Sequence, residues 1–268
     1  MIRQLIFGLK VLKKLDCCNM KTAILLCGLV RNYEKTYRSF LHAFSNYEHD
    51  TYMHTWILGK NSLKTKTNSG LNLDSIPPDE EKLKKAFNLK KIKIDVQDIN
   101  LIPGIQKNSL SNHPNIPLCY HESIKRCFTL LEDTYDLCVV VRPDLYFYDK
   151  INFLHPEVGK IYVPYINNLY ENKSILQKLR NKHPDSVMDM LYNCFAYGTQ
   201  NDMTVFSDFT KNYVNVCHEK DFFVSGEVDY NPDRALAIYA KNIRKKQIVE
   251  FRTKHGIQRE NNVQIYSW

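Results

Sequence analysis

Arg142, Pro143 and Asp144 set a cation and an anion around a residue that cannot donate a backbone hydrogen bond, directly after the apolar run Leu137 to Val141. Five consecutive apolar residues, rich in Val, predict a strand covered on both faces, as in a parallel sheet. Proline at its end predicts a break or turn there. A charged pair at the carboxyl end of such a strand suits a phosphate and its metal, because open α/β sheets bind ligands at that edge. The plainer alternative is an Arg–Asp ion pair that closes the strand. A second candidate lies upstream, where Thr22 to Cys27 is an apolar run followed at once by Gly28, Leu29, Arg31 and Asn32. Strand, glycine turn and helix start make an anion site, since backbone N–H groups and the helix dipole face the incoming charge. Arg31 adds a guanidinium able to make a bidentate contact. One glycine is far less specific than a G-x-G-x-x-G fingerprint.

The elements that must position these residues follow from periodicity. Tyr33, Tyr37, Phe40, Leu41, Phe44 and Tyr47 recur every three or four residues and predict an amphipathic helix, with Asn32 as its cap. Asp50 to Trp56 reads as a second strand, His54 and Trp56 on one face and Thr51, Met53 and Thr55 on the other. Residues 60–81 and 102–117, with their Pro, Asn, Ser and Gly signals, read as loops, and Lys91 to Val96 between them alternates as a strand. Tyr120, Ile124, Cys127, Phe128 and Leu131 predict a helix leading into the strand at Tyr135. Alternation of strand and helix over the first 150 residues argues an α/β fold, a mixed and mostly parallel sheet flanked by helices. Further on, strands are expected at Ile161 to Pro164, Asn193 to Gly198 and Lys246 to Phe251, and a polar, basic excursion at 166–187. Helices are expected at Asp202 to Tyr213 and after Asn231-Pro232, the latter burying Leu236, Tyr239, Ala240 and Ile243.

Composition excludes several classes. At 268 residues, 44% of them hydrophobic, the chain is large enough for one core and too apolar to be mainly disordered. A formal charge of +8 calls for an anionic partner, yet Lys and Arg are dispersed with no zinc-finger or RNP pattern, so nucleic acid is not expected. The eight cysteines form no CxxC pair and read as reduced core residues of a cytoplasmic protein. His54 and His121 lack a second histidine four residues on, and no G-x-S-x-G or P-loop occurs. No apolar run reaches membrane-spanning length. Residues 1–16 set Ile2, Leu5, Leu9 and Leu12 on one helical stripe among lysines, which suits a peripheral helix on an anionic membrane surface. An ordinary packing helix, or a tail before a start at Met20, accounts for the same residues.

Four segments in order, AILLCGLVRNY, DTYMHTW, YDLCVVVRPDLYF and NCFAYGTQNDM, resemble GT-A-type glycosyltransferases, particularly the WavE-like set of surface-polysaccharide synthesis. The resemblance implies an extension at 1–20 and one GT-A-like domain over 21–268, nucleotide-binding to about residue 150 and acceptor-binding from about 151. It implies a nucleotide-sugar donor, a glycan or lipid-linked glycan acceptor, and Gly28, Leu29, Arg31 and Asn32 beside the nucleotide. Arg142 and Asp144 would meet its diphosphate, with Mn²⁺ or Mg²⁺ held by Asp144 and His255. Where this family usually carries Asp-x-Asp, this chain has Arg-Pro-Asp, which puts metal dependence in doubt. An inverting transferase needs a carboxylate to take the acceptor's proton, and the candidates are Glu227 and Asp233, then Asp229. The alternatives are a GT-A-like scaffold without catalysis, or a basic polyanion-binding module.

Overall fold

The structure, a computed structural model, describes residues 20–58, 78–97, 115–164, 195–217, 223–224, 227–228, 232–251, 255–258 and 263–266. Strand β1 (Thr22–Cys27) is buried at every position, and it is followed by helix α1 (Tyr33–Phe44) and strand β2 (His49–Leu58). Helix α2 (Glu80–Phe87), strand β3 (Leu89–Gln97), helix α3 (Asn115–Phe128) and strand β4 (Leu137–Val141) complete the first half. Short strands β5 (Leu145–Phe147), β6 (Lys160–Pro164) and β7 (Phe195–Gly198) lead to the long helix α4 (Gln200–Cys217). A hairpin of β8 (Phe223–Val224) and β9 (Glu227–Val228) precedes helix α5 (Pro232–Ile238), and β10 (Gln247–Phe251), β11 (His255–Gln258) and β12 (Val263–Tyr266) close the chain.

Seven strands form one sheet in the order β10-β6-β7-β4-β1-β2-β3. All neighbours pair in parallel except β7, which runs against both β4 and β6. The expected mixed, mostly parallel α/β sheet is therefore what forms. The chain winds outward from β1 to β2 and β3, then crosses back to β4 on the opposite side of β1. That reversal makes the β1/β4 junction a topological switch point. Ala23, Leu25, Cys27 and Val140 pack in a core cluster with residues of α3, α4 and α5, and Ile24, Leu26 and Val139 pack with residues of α1 and α2. The continuous apolar runs of β1 and β4 are thus read correctly as doubly covered strands.

Several local readings change. Helix α2 was expected to be loop up to Glu81; Asp79 accepts a hydrogen bond from Lys82 N at 3.1 Å, and Leu83 and Phe87, four residues apart, are buried. The break at Pro143 forms as expected, but beyond it β5 leaves the main sheet and pairs antiparallel with β11, in a small β12-β11-β5 sheet that the sequence reading lacks. Ile243, expected in the buried stripe after Pro232, is 43% exposed. A π-helical turn at Tyr239–Ile243 adds a residue to the turn and rotates Ile243 outward, while Leu236, Tyr239 and Ala240 stay buried. Leu41, also expected inside, is exposed at the rim of α1. The expectations for 1–16, 60–77, 102–114 and 166–187 lie outside the described residues.

Candidate functional site

Both sequence-predicted clusters stand at the carboxyl edge of the sheet, one on each side of the switch point. Leu26 pairs with Val141 and Cys27 with His54, so the turns after β1 and β4 leave neighbouring strand ends. The helix that follows the first turn is bonded to the second: Thr36 in α1 donates its hydroxyl to Pro143 O at 2.8 Å, and Thr36 is fully buried.

The first turn needs its glycine. Gly28 has φ +105°, a region L-residues avoid, and a Cβ there would lie 3.1 Å from the Tyr120 ring. The Gly28 N–H points inward rather than at a ligand, donating to Ser123 Oγ at 2.8 Å and to His54 O at 3.2 Å. In the segment after it, Leu29 and Arg31 are half-buried. Asn32 is the residue preceding α1, as expected, but sits in the left-handed region at φ 49° and makes no side-chain cap.

Ser123 in α3 extends this anchor into a chain of polar groups. Its Oγ lies 2.7 Å from His54 Nδ1 and 2.9 Å from His54 O, and His54 Nε2 lies 3.1 Å from Asp95 Oδ2. Arg126 donates to Asp95 and, through Nε, to Glu122 at 3.1 Å. Burial pushes His54 down to about 4, only partly offset by Asp95, so the ring is neutral at pH 7. Burial also raises Asp95, but hydrogen bonds from Arg126 and His54 outweigh it and hold the carboxylate at about 2. A carboxylate only accepts, which assigns the His54 proton to Nε2 and leaves Nδ1 and His54 O to share the single Ser123 hydroxyl proton. Serine, histidine and aspartate in a row resemble a hydrolytic set, but Ser123 and His54 are completely buried and the hydroxyl is engaged by Gly28 N, His54 Nδ1 and His54 O. The chain instead holds the Gly28 turn against β2 and α3.

The second turn is closed by its own charges. Leu145 N donates to Arg142 O at 3.2 Å, forming a four-residue turn over Pro143. Within it Arg142 Nε donates to Asp144 Oδ1 at 2.9 Å and Nη2 donates to Asp144 Oδ2 at 2.6 Å. This is a fork-to-fork pair, with Asp144 1% and Arg142 26% exposed.

The remaining candidates are placed by backbone. His255 lies in β11 opposite Phe147, three positions beyond Asp144 and roughly 10 Å away along the strand. Glu227 opens β9, and Asp233 stands in the first turn of α5. Antiparallel packing of α5 on α4, marked by Asn212 Nδ2 to Tyr239 OH at 3.1 Å and Arg244 to Asp208 at 2.6 Å, puts the start of α5 at the end of α4. That is the same carboxyl edge, because α4 follows β7, which runs the opposite way to β4. Asp229 lies outside the described residues. Among the described residues, no three His, Cys, Asp or Glu side chains come together as metal ligands. Cys27, Cys119, Cys127 and Cys138 are buried, and burial raises the thiols of Cys27 and Cys138, as befits core residues.

Fold and site define an α/β protein with a paired basic and acidic side chain at the β1/β4 switch point. Compared with known proteins, the sequence matches no family model and no curated protein. Among the described residues no helix is long and apolar enough to cross a membrane.

Proposed function

We propose that this chain is a GT-A-like glycosyltransferase that moves a sugar from a nucleotide-sugar donor to a glycan acceptor. One observation carries the reading: the two segments that the sequence marks for a nucleotide diphosphate, Gly28 to Asn32 and Arg142 to Asp144, flank the β1/β4 switch point. Nucleotides bind α/β sheets in that crevice. Arg31 and Arg142 bring positive charge to the turns on either side of it, the charge a departing nucleoside diphosphate requires. Glu227 and Asp233, on elements that open from the same edge, are the candidates for the base that deprotonates the acceptor hydroxyl.

The test is a thermal-shift panel of UDP-, GDP-, CDP- and ADP-sugars, each in EDTA and in Mn²⁺. A rise in Tm with one nucleotide class supports donor binding, and transfer of labelled sugar from that donor then tests catalysis. Absence of a shift with every donor refutes the reading and leaves a scaffold role.

A further inference from the structure

Asp144 does not fit the part of a metal ligand. A carboxylate that binds a divalent cation must turn an oxygen toward it, and both Asp144 oxygens already accept charged N–H donors from one guanidinium. The side chain is 1% exposed, so the pair does not share those oxygens with solvent. A cation placed beside Asp144 also stands beside Arg142 and is repelled by it. His255, the proposed second ligand, pairs in register with Phe147 rather than with the turn.

We propose that Asp144 is a positioning residue: it fixes the Arg142 guanidinium at the switch point as the cation that receives the donor's diphosphate, without a divalent metal. This rests on the nucleotide-sugar reading above. Three features make the pair suitable. The fork geometry spends Nε and one Nη2 proton on Asp144 and fixes the plane of the guanidinium, so its orientation is set before a ligand arrives. The Arg142 side chain is 26% exposed, while its anchor stays buried. The turn itself is held by the Leu145 N to Arg142 O bond and by Thr36 on Pro143 O. Holding an arginine in place beforehand lowers the ordering cost of binding a phosphate.

The experiment is calorimetric titration of the full chain with inorganic pyrophosphate and with UDP, GDP, CDP and ADP, in EDTA and in Mn²⁺. The expected result is the same Kd in both media, and at least about a tenfold loss of affinity in Asp144→Asn, with Asp144→Glu recovering part of it. Because Asp144→Asn leaves a half-buried guanidinium without its anion and risks misfolding, the double variant Arg142→Gln/Asp144→Asn is the control. Its two amides can still pair, so it should melt near the wild-type temperature yet lose pyrophosphate binding. Binding that appears only with Mn²⁺, or that survives in the double variant, overturns the proposal while the donor reading stands. Metal-independent pyrophosphate binding lost in the double variant, with no preference for any nucleoside diphosphate, upholds the Arg142 site and refutes the donor reading. Failure of every anion to bind overturns both.

Discussion

His121 offers a test of the core that requires no ligand. It lies in α3 facing α4, completely buried, edge-on to Phe209 at 4.8 Å, and neither ring nitrogen has a hydrogen-bond partner among the described residues. Burial alone lowers it to about 3, against an ordinary value of 6.5. The unfolded chain therefore takes up a proton between these values that the folded protein refuses. A group depressed in this way lets stability rise with pH from about 3 to 6.5 and then level off, so the loss appears on acidification. At about pH 5 the unfolded histidine is almost fully protonated and the folded one neutral, and about 1.36 kcal/mol per pH unit gives a loss near 2 kcal/mol relative to about pH 8. His54, depressed to about 4, adds a similar loss at that pH. His121→Met replaces the ring with an adaptable apolar side chain and removes the unpaired nitrogens. Urea unfolding followed by the fluorescence of buried Trp56 should show the variant losing about 2 kcal/mol less than wild type between those pH values. Identical pH dependence of the two proteins would refute the argument that His121 is forced to stay neutral.

Two further perturbations probe the Gly28 turn. Ser123→Ala removes the acceptor for Gly28 N and the donor to His54 Nδ1, and should cost about 1–3 kcal/mol in urea unfolding; an unchanged midpoint would show that the polar chain is not a support. Gly28→Ala must hold a side chain at positive φ against Tyr120 and should cost about 1–3 kcal/mol, with weaker binding of whichever donor the panel identifies; wild-type stability would mean the turn relaxes freely.

Much of this architecture was legible because its signals are local and redundant. Val-rich β4 and the run Ala23 to Cys27 carry no charged or hydroxyl side chain to confuse a doubly buried strand with an edge, and Pro143 marks the break after β4 by chemistry alone. The site was legible as two turns, but not as a pair across a switch point, since the order of strands depends on contacts between distant residues. The inward aim of Gly28 N–H was hidden for the same reason: its acceptor, Ser123, is 95 residues away. His54 was recognised as sharing a face with Trp56, yet its partners come from β3 and α3, and no spacing in β2 announces them. The rotation of Ile243 turns on one extra residue in a helical turn, which a fixed period of 3.6 cannot foresee.

The sheet has a second edge, where its strands begin, and that edge is bound differently. Buried Asp202 accepts from Gly159 N at 3.0 Å, Thr199 Oγ1 at 2.7 Å and Lys246 Nζ at 2.7 Å, tying together the starts of β6, α4 and β10. Lys21 N on Asp136 at 3.0 Å and Tyr135 N on Gln200 at 2.7 Å do the same for β1, β4 and α4. The amino rim is fastened by these crosslinks, whereas the carboxyl rim combines the Gly28–Ser123–His54 anchor with the turns that would face a ligand. A lineage built on this frame can exchange the outward residues of those turns and acquire new specificities as long as that anchor is kept, because the rest of the fastening lies a strand's length away.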